Sequence, residues 1–234
     1  MSIRALAIET SSRIGSVALA EDGNILAEDI FPHGLAHAAK IIPAIDALCR
    51  NLRWTSGDLR EIYVSAGPGS FTGLRIGITL AKTLSLATGA ALVAVPSVRV
   101  LVENAPPEVT AAIVVLDAKR DQIFTASFQR DREGWTEIEP AHLDSLAAML
   151  SRSPRPVHLI GEGIPYHQKF LPQDSDVHMV SESLWRPQAK IVAKLGWSMA
   201  RHARFTDAMQ LRPIYIRRPE AEEKFDADEK GGHS

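Results

Sequence analysis

The chain has 234 residues, 45% of them apolar and 23% charged, which suits one large domain or two small lobes with ordinary cores. With 26 basic against 28 acidic side chains, the formal net charge of -2 argues against a strongly cationic nucleic-acid binder working alone, but not against RNA-related work done through a partner. Cys49 is the single cysteine, which excludes an intrachain disulfide and a Cys-x-x-Cys metal site. The chain opens on a strand pattern without a signal peptide, so a cytoplasmic location is expected.

Ile3 to Thr10 reads as a buried strand and Gly15 to Glu21 as a second. Asp22-Gly23 is a hairpin signal leading into a third strand, Asn24 to Phe31. Leu35 to Leu52 reads as an amphipathic helix with Leu35, Ala38, Ile41, Ile42, Ile45, Leu48, Cys49 and Leu52 on one broad face. Pro43 lies inside it and is expected to kink or split it. Glu61 to Ala66 is a fourth strand. The block Gly67-Pro68-Gly69-Ser70-Phe71-Thr72-Gly73-Leu74-Arg75-Ile76-Gly77 follows and opens a helix, Thr72 to Thr88, that Gly89 stops.

A strand, a glycine turn and a helix start leave backbone N–H groups without intrahelical partners, a geometry that suits a phosphate or a carboxylate. Gly67, Gly69, Ser70 and Thr72 are therefore candidate nucleotide- or anion-binding residues. No Gly-Lys-Ser/Thr closes the block, so it is not a P-loop, and the competing reading is a tight turn capped by Ser70. Gly73, Gly77 and Ala81 recur every four residues and make one bare strip on the helix, open to close approach by the chain's own sheet or by a second subunit. Arg75 and Lys82 interrupt the helix and no long apolar run exists, so it does not read as a membrane span.

Ala91 to Val95 is a further strand and Ser97 to Asn104 a helix. Ala105-Pro106-Pro107 breaks the pattern and marks a lobe boundary. The pattern then restarts. Ala111 to Asp117, Gln122 to Gln129 and Trp135 to Glu139 read as strands, Asp144 to Ser151 as a helix, Val157 to Ile160 and Val177 to Val180 as strands. Pro187 to Arg204 reads as a final helix with Ile191, Leu195 and Met199 on one stripe and Val192 beside it. The expectation is an α/β chain of two lobes, each a mixed sheet covered by helices: residues 1–104, a reduced second lobe at 108–217, and a charged, disordered tail at 218–234.

The glycine block closely resembles the signature of the bacterial TsaB family, also called YeaZ. Leu6-Ala7-Ile8-Glu9-Thr10-Ser11, His37 with Ile41-Ile42-Pro43, Asp117-Ala118-Lys119-Arg120 and Pro213-Ile214-Tyr215-Ile216-Arg217 resemble it too, so the likeness covers about residues 3 to 217. It implies an actin-like, two-lobed fold of the hexokinase and Hsp70 type. It also implies a role in making threonylcarbamoyladenosine beside the anticodon of tRNA. In that family TsaB is a scaffold paralogue of the catalytic subunit TsaD, joined by the ATPase TsaE, while TsaC or its relative supplies threonylcarbamoyl-adenylate. The resemblance further implies a homodimer formed through the face that otherwise receives TsaD, and tRNA bound through the complex. Ile41, Ile42, Ile45, Gly73, Gly77 and Ala81 are the expected interface residues. No tightly bound cofactor is expected, with ATP or ADP allowed at the joint with TsaD.

Several chemistries are argued against by the residues themselves. TsaD-like proteins carry a His-x-x-x-His metal pair where this chain reads Val95-Pro96-Ser97-Val98-Arg99-Val100, so no metal site is expected there. His33 and His37 have the same spacing but lie in the wrong segment and lack a third ligand. Glu9 stands where actin-like phosphotransferases place Asp, and its extra methylene disfavours a tight octahedral magnesium site. Thr10, Ser11 and Ser12 are expected to satisfy the turn that follows. Asp117, Lys119, Arg120 and Asp121 read as a solvated hairpin, the competing reading being Asp117 as a general base. No catalytic residue is assigned. Against the scaffold reading stand a small ATP-dependent phosphotransferase or acyltransferase and, from the former glycoprotease label of the family, a peptidase.

Overall fold

The computed structural model describes residues 2–31 and 36–216, and the side chains of the first helix from Ala39 onward. The tail at 218–234, His33 and the side chain of His37 lie outside these residues. Strands β1 (Arg4–Glu9), β2 (Gly15–Glu21) and β3 (Asn24–Phe31) form an antiparallel meander, closed by Asp22 and Gly23 at φ 49° and 81°. Helix α1 (Ala36–Leu52), β4 (Leu59–Gly67), α2 (Phe71–Thr88), β5 (Ala91–Pro96) and α3 (Ser97–Val102) follow. β4 runs parallel to both β1 and β5, giving the order β3-β2-β1-β4-β5.

The second sheet repeats that plan. β6 (Ala111–Asp117), β7 (Ile123–Arg130) and β8 (Trp135–Asp144) are antiparallel. Then come α4 (Leu146–Arg152), β9 (Val157–Ile160), α5 (Ile164–His167), β10 (Val177–Met179) and α6 (Ala189–Arg201). The order β8-β7-β6-β9-β10 is the first sheet's order with shorter parallel strands β9 and β10, so the chain has the expected actin-like build of two mixed sheets covered by helices.

The alternation of side chains across β1 and β2 explains how the first sheet is covered. Leu6, Ile8, Val17 and Leu19 join Ile62, Val64 and Leu92 on one face, under α1 and α2. Ala5, Ala7, Ala18 and Ala20 line the other face, where the bulk is missing and α6 moves in. α6 meets this face through Ala189, Val192, Ala193, Gly196 and Ala200, and a Cβ at Gly196 would overlap the ring of Tyr63. Ile191, Leu195 and Met199, the expected stripe, are only half-buried. Close approach to an alanine-lined sheet selects small side chains, which a hydrophobicity pattern undervalues.

Two further expectations are corrected. α6 lies in the segment 108–217 but packs on β1, β2, β4 and β5, so the lobes are not two contiguous halves of the chain. Of the two effects expected of Pro43, the split does not occur, since α1 runs unbroken from Ala36 to Leu52. Pro43 and Ala39 are both exposed, so the ring and the carbonyl that loses its donor face water. No helix among the described residues is long and apolar enough to cross a membrane.

Candidate functional site

The carboxyl ends of the central parallel strands of both sheets face a common cavity of about 780 Å3. Its lining comes from the loop after β1, the glycine loop after β4, the start of α3, the hairpin after β6, the turn after β9 and the segment at 214–216. Carboxyl ends of parallel strands are where open α/β sheets place ligands, because loops leave the sheet there with unpaired backbone groups.

Glu9 ends β1 fully buried, behind Ser11, the first residue of the cavity lining. One carboxylate oxygen accepts from the Ser11 backbone N–H and hydroxyl, both at 2.6 Å, and the other accepts from the Ser65 hydroxyl. Burial raises the Glu9 carboxyl above its ordinary value, and the donors from Ser11 and Ser65 only partly oppose this. The next hydroxyls are engaged too: Thr10 donates to the Gly73 carbonyl at 2.7 Å and Ser12 to the Ile14 carbonyl at 2.8 Å. A carboxylate and hydroxyls tied up in this way do not fit a magnesium–phosphate site, which needs hard oxygen ligands free to coordinate.

Of the candidate anion-binding residues, Gly69 and Ser70 line the cavity, whereas Gly67 and Thr72 do not, and most of their groups are occupied by the fold. Gly67 N–H donates to the Ser97 hydroxyl at 3.0 Å and Ser70 N–H to the Ser11 carbonyl at 2.7 Å. The Ser70 hydroxyl accepts from Gly73 N–H at 3.2 Å, which makes Ser70 the N-cap of α2, and Gly89 closes the same helix at φ 73°. Gly69 lies so close to the loop after β1 that a Cβ would come within 2.9 Å of the Ser11 Cβ. Thr72 is exposed on the first turn.

The strip expected at a subunit interface is used inside the chain instead. Gly73, Gly77 and Ala81 are buried. A Cβ at Gly73 would lie 3.1 Å from the carbonyl carbon of Thr10 and closer to its oxygen, and one at Gly77 would overlap the Thr10 hydroxyl. The bare strip is what lets α2 rest on the end of β1. Ile41 is likewise core, whereas Ile42 is 59% exposed and Ile45 is half-buried.

Asp117 ends β6 beside three consecutive residues, Lys119, Arg120 and Asp121, with φ of 62°, 54° and 57°. Its carboxylate accepts from Lys119 N–H at 3.1 Å and from Lys119 Nζ at 2.7 Å, and it lies 3.2 Å from His167 Nε2. Burial pushes its carboxyl up, but the bonds from Lys119 and His167 outweigh this and hold it below the usual range. His167 Nδ1 is buried and makes no protein hydrogen bond, so the Asp–His pair reaches no hydroxyl nucleophile and is not a triad. Asp117 is thus a part-buried anchor that ties the hairpin to α5, not the freely solvated hairpin acid expected. Among the described residues no group of three His, Cys, Asp or Glu side chains stands close enough to hold a metal ion.

Sequence patterns do not reveal the cavity mouth. Arg13 donates to the Tyr166 hydroxyl and stacks 5.5 Å over its ring, and Lys119 Nζ lies 5.4 Å from the same ring. Arg75 lies 3.8 Å over the ring of Phe71 and donates to the Tyr215 hydroxyl at 3.0 Å, while Phe71 and Tyr215 stack at 5.4 Å. These residues come from segments far apart in the chain: Arg13, Lys119 and Tyr215 from loops, Tyr166 from the short α5, and Phe71 and Arg75 from the first turns of α2. Phe71, Arg75, Lys119 and Tyr215 lie in blocks that carry the family resemblance, whereas Arg13 and Tyr166 lie in none.

The family described as "TsaD: tRNA N6-adenosine threonylcarbamoyltransferase" matches residues 33–225. The tRNA threonylcarbamoyladenosine biosynthesis protein TsaB of Bacillus subtilis is 30% identical over 230 residues, covering 96% of this chain and 99% of that protein. The protein of the same name from Escherichia coli K12 is 26% identical over 241 residues, covering 97% and 100%. The structure of YeaZ from Pseudomonas aeruginosa superimposes with a TM-score of 0.76 at 24% identity, covering 91% of this chain and 99% of that one. A Pseudomonas aeruginosa crystal structure described as similar to peptidase YeaZ gives 0.79 at 22% identity, covering 92% and 100%. With sequence likeness along nearly the whole chain and the same arrangement of sheets, this chain belongs to the TsaB branch of the TsaD-like family.

Proposed function

We propose that this chain is a non-catalytic scaffold subunit for transfer of the threonylcarbamoyl group to the adenosine beside the anticodon of tRNAs, acting in the cytoplasm with TsaD and TsaE. The observation that carries the non-catalytic half is Glu9. At the end of β1 a phosphotransferase of this build keeps a carboxylate free for metal-bound phosphate, and here that carboxylate is buried and bonded to Ser11 and Ser65. The relatives' role in threonylcarbamoyladenosine biosynthesis, which their names state, supports the other half. The chain carries no tightly held cofactor on this reading, and ATP or ADP belongs to the joint with TsaD.

The contact with TsaD, and with a second copy when TsaD is absent, falls on the outer side of α1 and α2. Ile42 is exposed there, and Ile45, Ile76 and Leu80 are half-buried on the same two helices. Apolar residues that two packed helices leave uncovered are the usual centre of a persistent interface. The strip of Gly73, Gly77 and Ala81 contributes indirectly, by fixing α2 on the sheet.

Reconstitution tests the reading: tRNA, threonine, bicarbonate, ATP, TsaC, TsaD and TsaE, with and without this chain, read as modified nucleoside by mass spectrometry. Modification should depend on the chain, and Asp117→Ala should support it nearly as well as the native protein. A loss of about a hundredfold or more with Asp117→Ala, the size expected for removing a general base, would overturn the scaffold assignment.

A further inference from the structure

The mouth of the interlobe cavity combines cations and aromatic faces in a way the scaffold role does not use. Arg13, Lys119 and Tyr166 stand on one side, and Phe71, Arg75 and Tyr215 on the other. Phe71 is 38%, Tyr166 46% and Tyr215 39% exposed, so three rings offer surface to a ligand. Lys119 already pairs with Asp117. The guanidinium groups of Arg13 and Arg75 are held only by a phenol and a ring, with no carboxylate partner among the described residues. The carboxylates that line the cavity are engaged elsewhere: Asp117 with Lys119 and His167, Glu162 with Arg186 and with the Arg13 backbone N–H.

Two cations without counter-charge call for an anionic occupant, and rings beside them call for one with flat faces. Unpaired nucleotides meet both needs, since bases stack on aromatic side chains and phosphates answer arginines. A base-paired helix does not, because its bases are already stacked. An acidic peptide would satisfy the arginines but leave the rings unused.

We propose that this mouth receives unpaired nucleotides of the tRNA, so that the chain touches the substrate RNA directly. The proposal rests on the tRNA-modification reading above. The cleft then positions a loop of the RNA while the chemistry is done on the partner subunit. The near-neutral net charge is consistent with a contact made by a few local cations and completed by the partner.

The test is fluorescence anisotropy with a labelled anticodon stem-loop, on the native chain bound to TsaD and on the chain alone. Tyr166→Ala and Arg75→Ala should each weaken binding by roughly tenfold, the size of losing one stacked base or one phosphate interaction. Arg75→Ala and Arg13→Ala should also flatten the salt dependence, by about 0.7 in the log–log slope for each phosphate no longer neutralised. A fully paired duplex of equal length should bind more weakly than the loop. All three substituted side chains are on the surface, and thermal melting confirms that the variants are folded. Unchanged affinity in all three variants, equal binding of duplex and loop, or binding of adenosine monophosphate with no binding of the loop each overturn the proposal. If the native chain still supports modification in the reconstituted system, such a result defeats the RNA contact alone. If modification is independent of the native chain, the scaffold reading itself fails.

Discussion

Gly73→Ala tests the use of the bare strip on α2 inside the chain. The added methyl would lie 3.1 Å from the Thr10 carbonyl carbon and nearer its oxygen, and Thr10 is fixed at the end of the central strand. Backbone on both sides of the contact leaves no flexible side chain to yield, so the helix must move off the sheet. Overpacking of this kind costs about 1–3 kcal/mol. The movement also strains the bond from the Thr10 hydroxyl to the Gly73 carbonyl at 2.7 Å, a further ~1 kcal/mol if it breaks. Replacing glycine in a helix returns at most about 1 kcal/mol. The net loss is about 1–3 kcal/mol, which in a chain of this size lowers the melting temperature by roughly 3–10 °C. Gly57→Ala is the control, because its nearest neighbour would be 3.8 Å away, and it should stay within about 0.5 kcal/mol of the native protein. Melting followed by circular dichroism compares the three. A Gly73→Ala chain that melts with the native protein, yet no longer pairs with itself in sedimentation, would show that the strip faces a partner and that the internal packing argument is wrong.

Ile42→Glu should leave melting nearly unchanged, since the side chain is 59% exposed, and should weaken both self-association and TsaD binding by about one to two decades if it sits at the interface centre; titration calorimetry decides. Glu9→Gln reports on the buried carboxyl. Its folded-state value lies above the ordinary 4.5, so the stability it contributes is full below that pH and fades as pH rises through the raised value. The amide keeps the acceptor for Ser11, so the variant should gain stability relative to the native protein as pH rises above the ordinary 4.5 in urea unfolding; a difference that stays constant as pH rises from there would refute the assignment. Protein purified without a tag should carry far less than one zinc or iron per chain. A tightly held stoichiometric ion that disappears in His37→Ala would contradict this.

The family and the order of elements, apart from the short α5 that the sequence reading lacks, are determined by the sequence alone. Period-two strands, the Asp22-Gly23 turn, the Ser70 cap and the Gly89 stop are local signals, and each stands where local physics puts it. The repeat of the architecture is legible for the same reason, since two meanders followed by alternating helices and strands need no knowledge of contacts. The tertiary structure alone decides which surfaces meet. A strip of Gly73, Gly77 and Ala81 says only that something approaches closely, and whether that is β1 or another subunit depends on the direction in which α2 faces. The alanines of β1 and β2 are equally silent until α6 returns from the far end of the chain to cover them. The cavity mouth lies deepest, because Arg13, Lys119 and Tyr215 in loops, Tyr166 in the short α5, and Phe71 and Arg75 at the start of α2 are neighbours only after both sheets have formed. Local sequence encodes backbone propensity and the period of burial, whereas a site assembled from several loops exists only once the long-range contacts close.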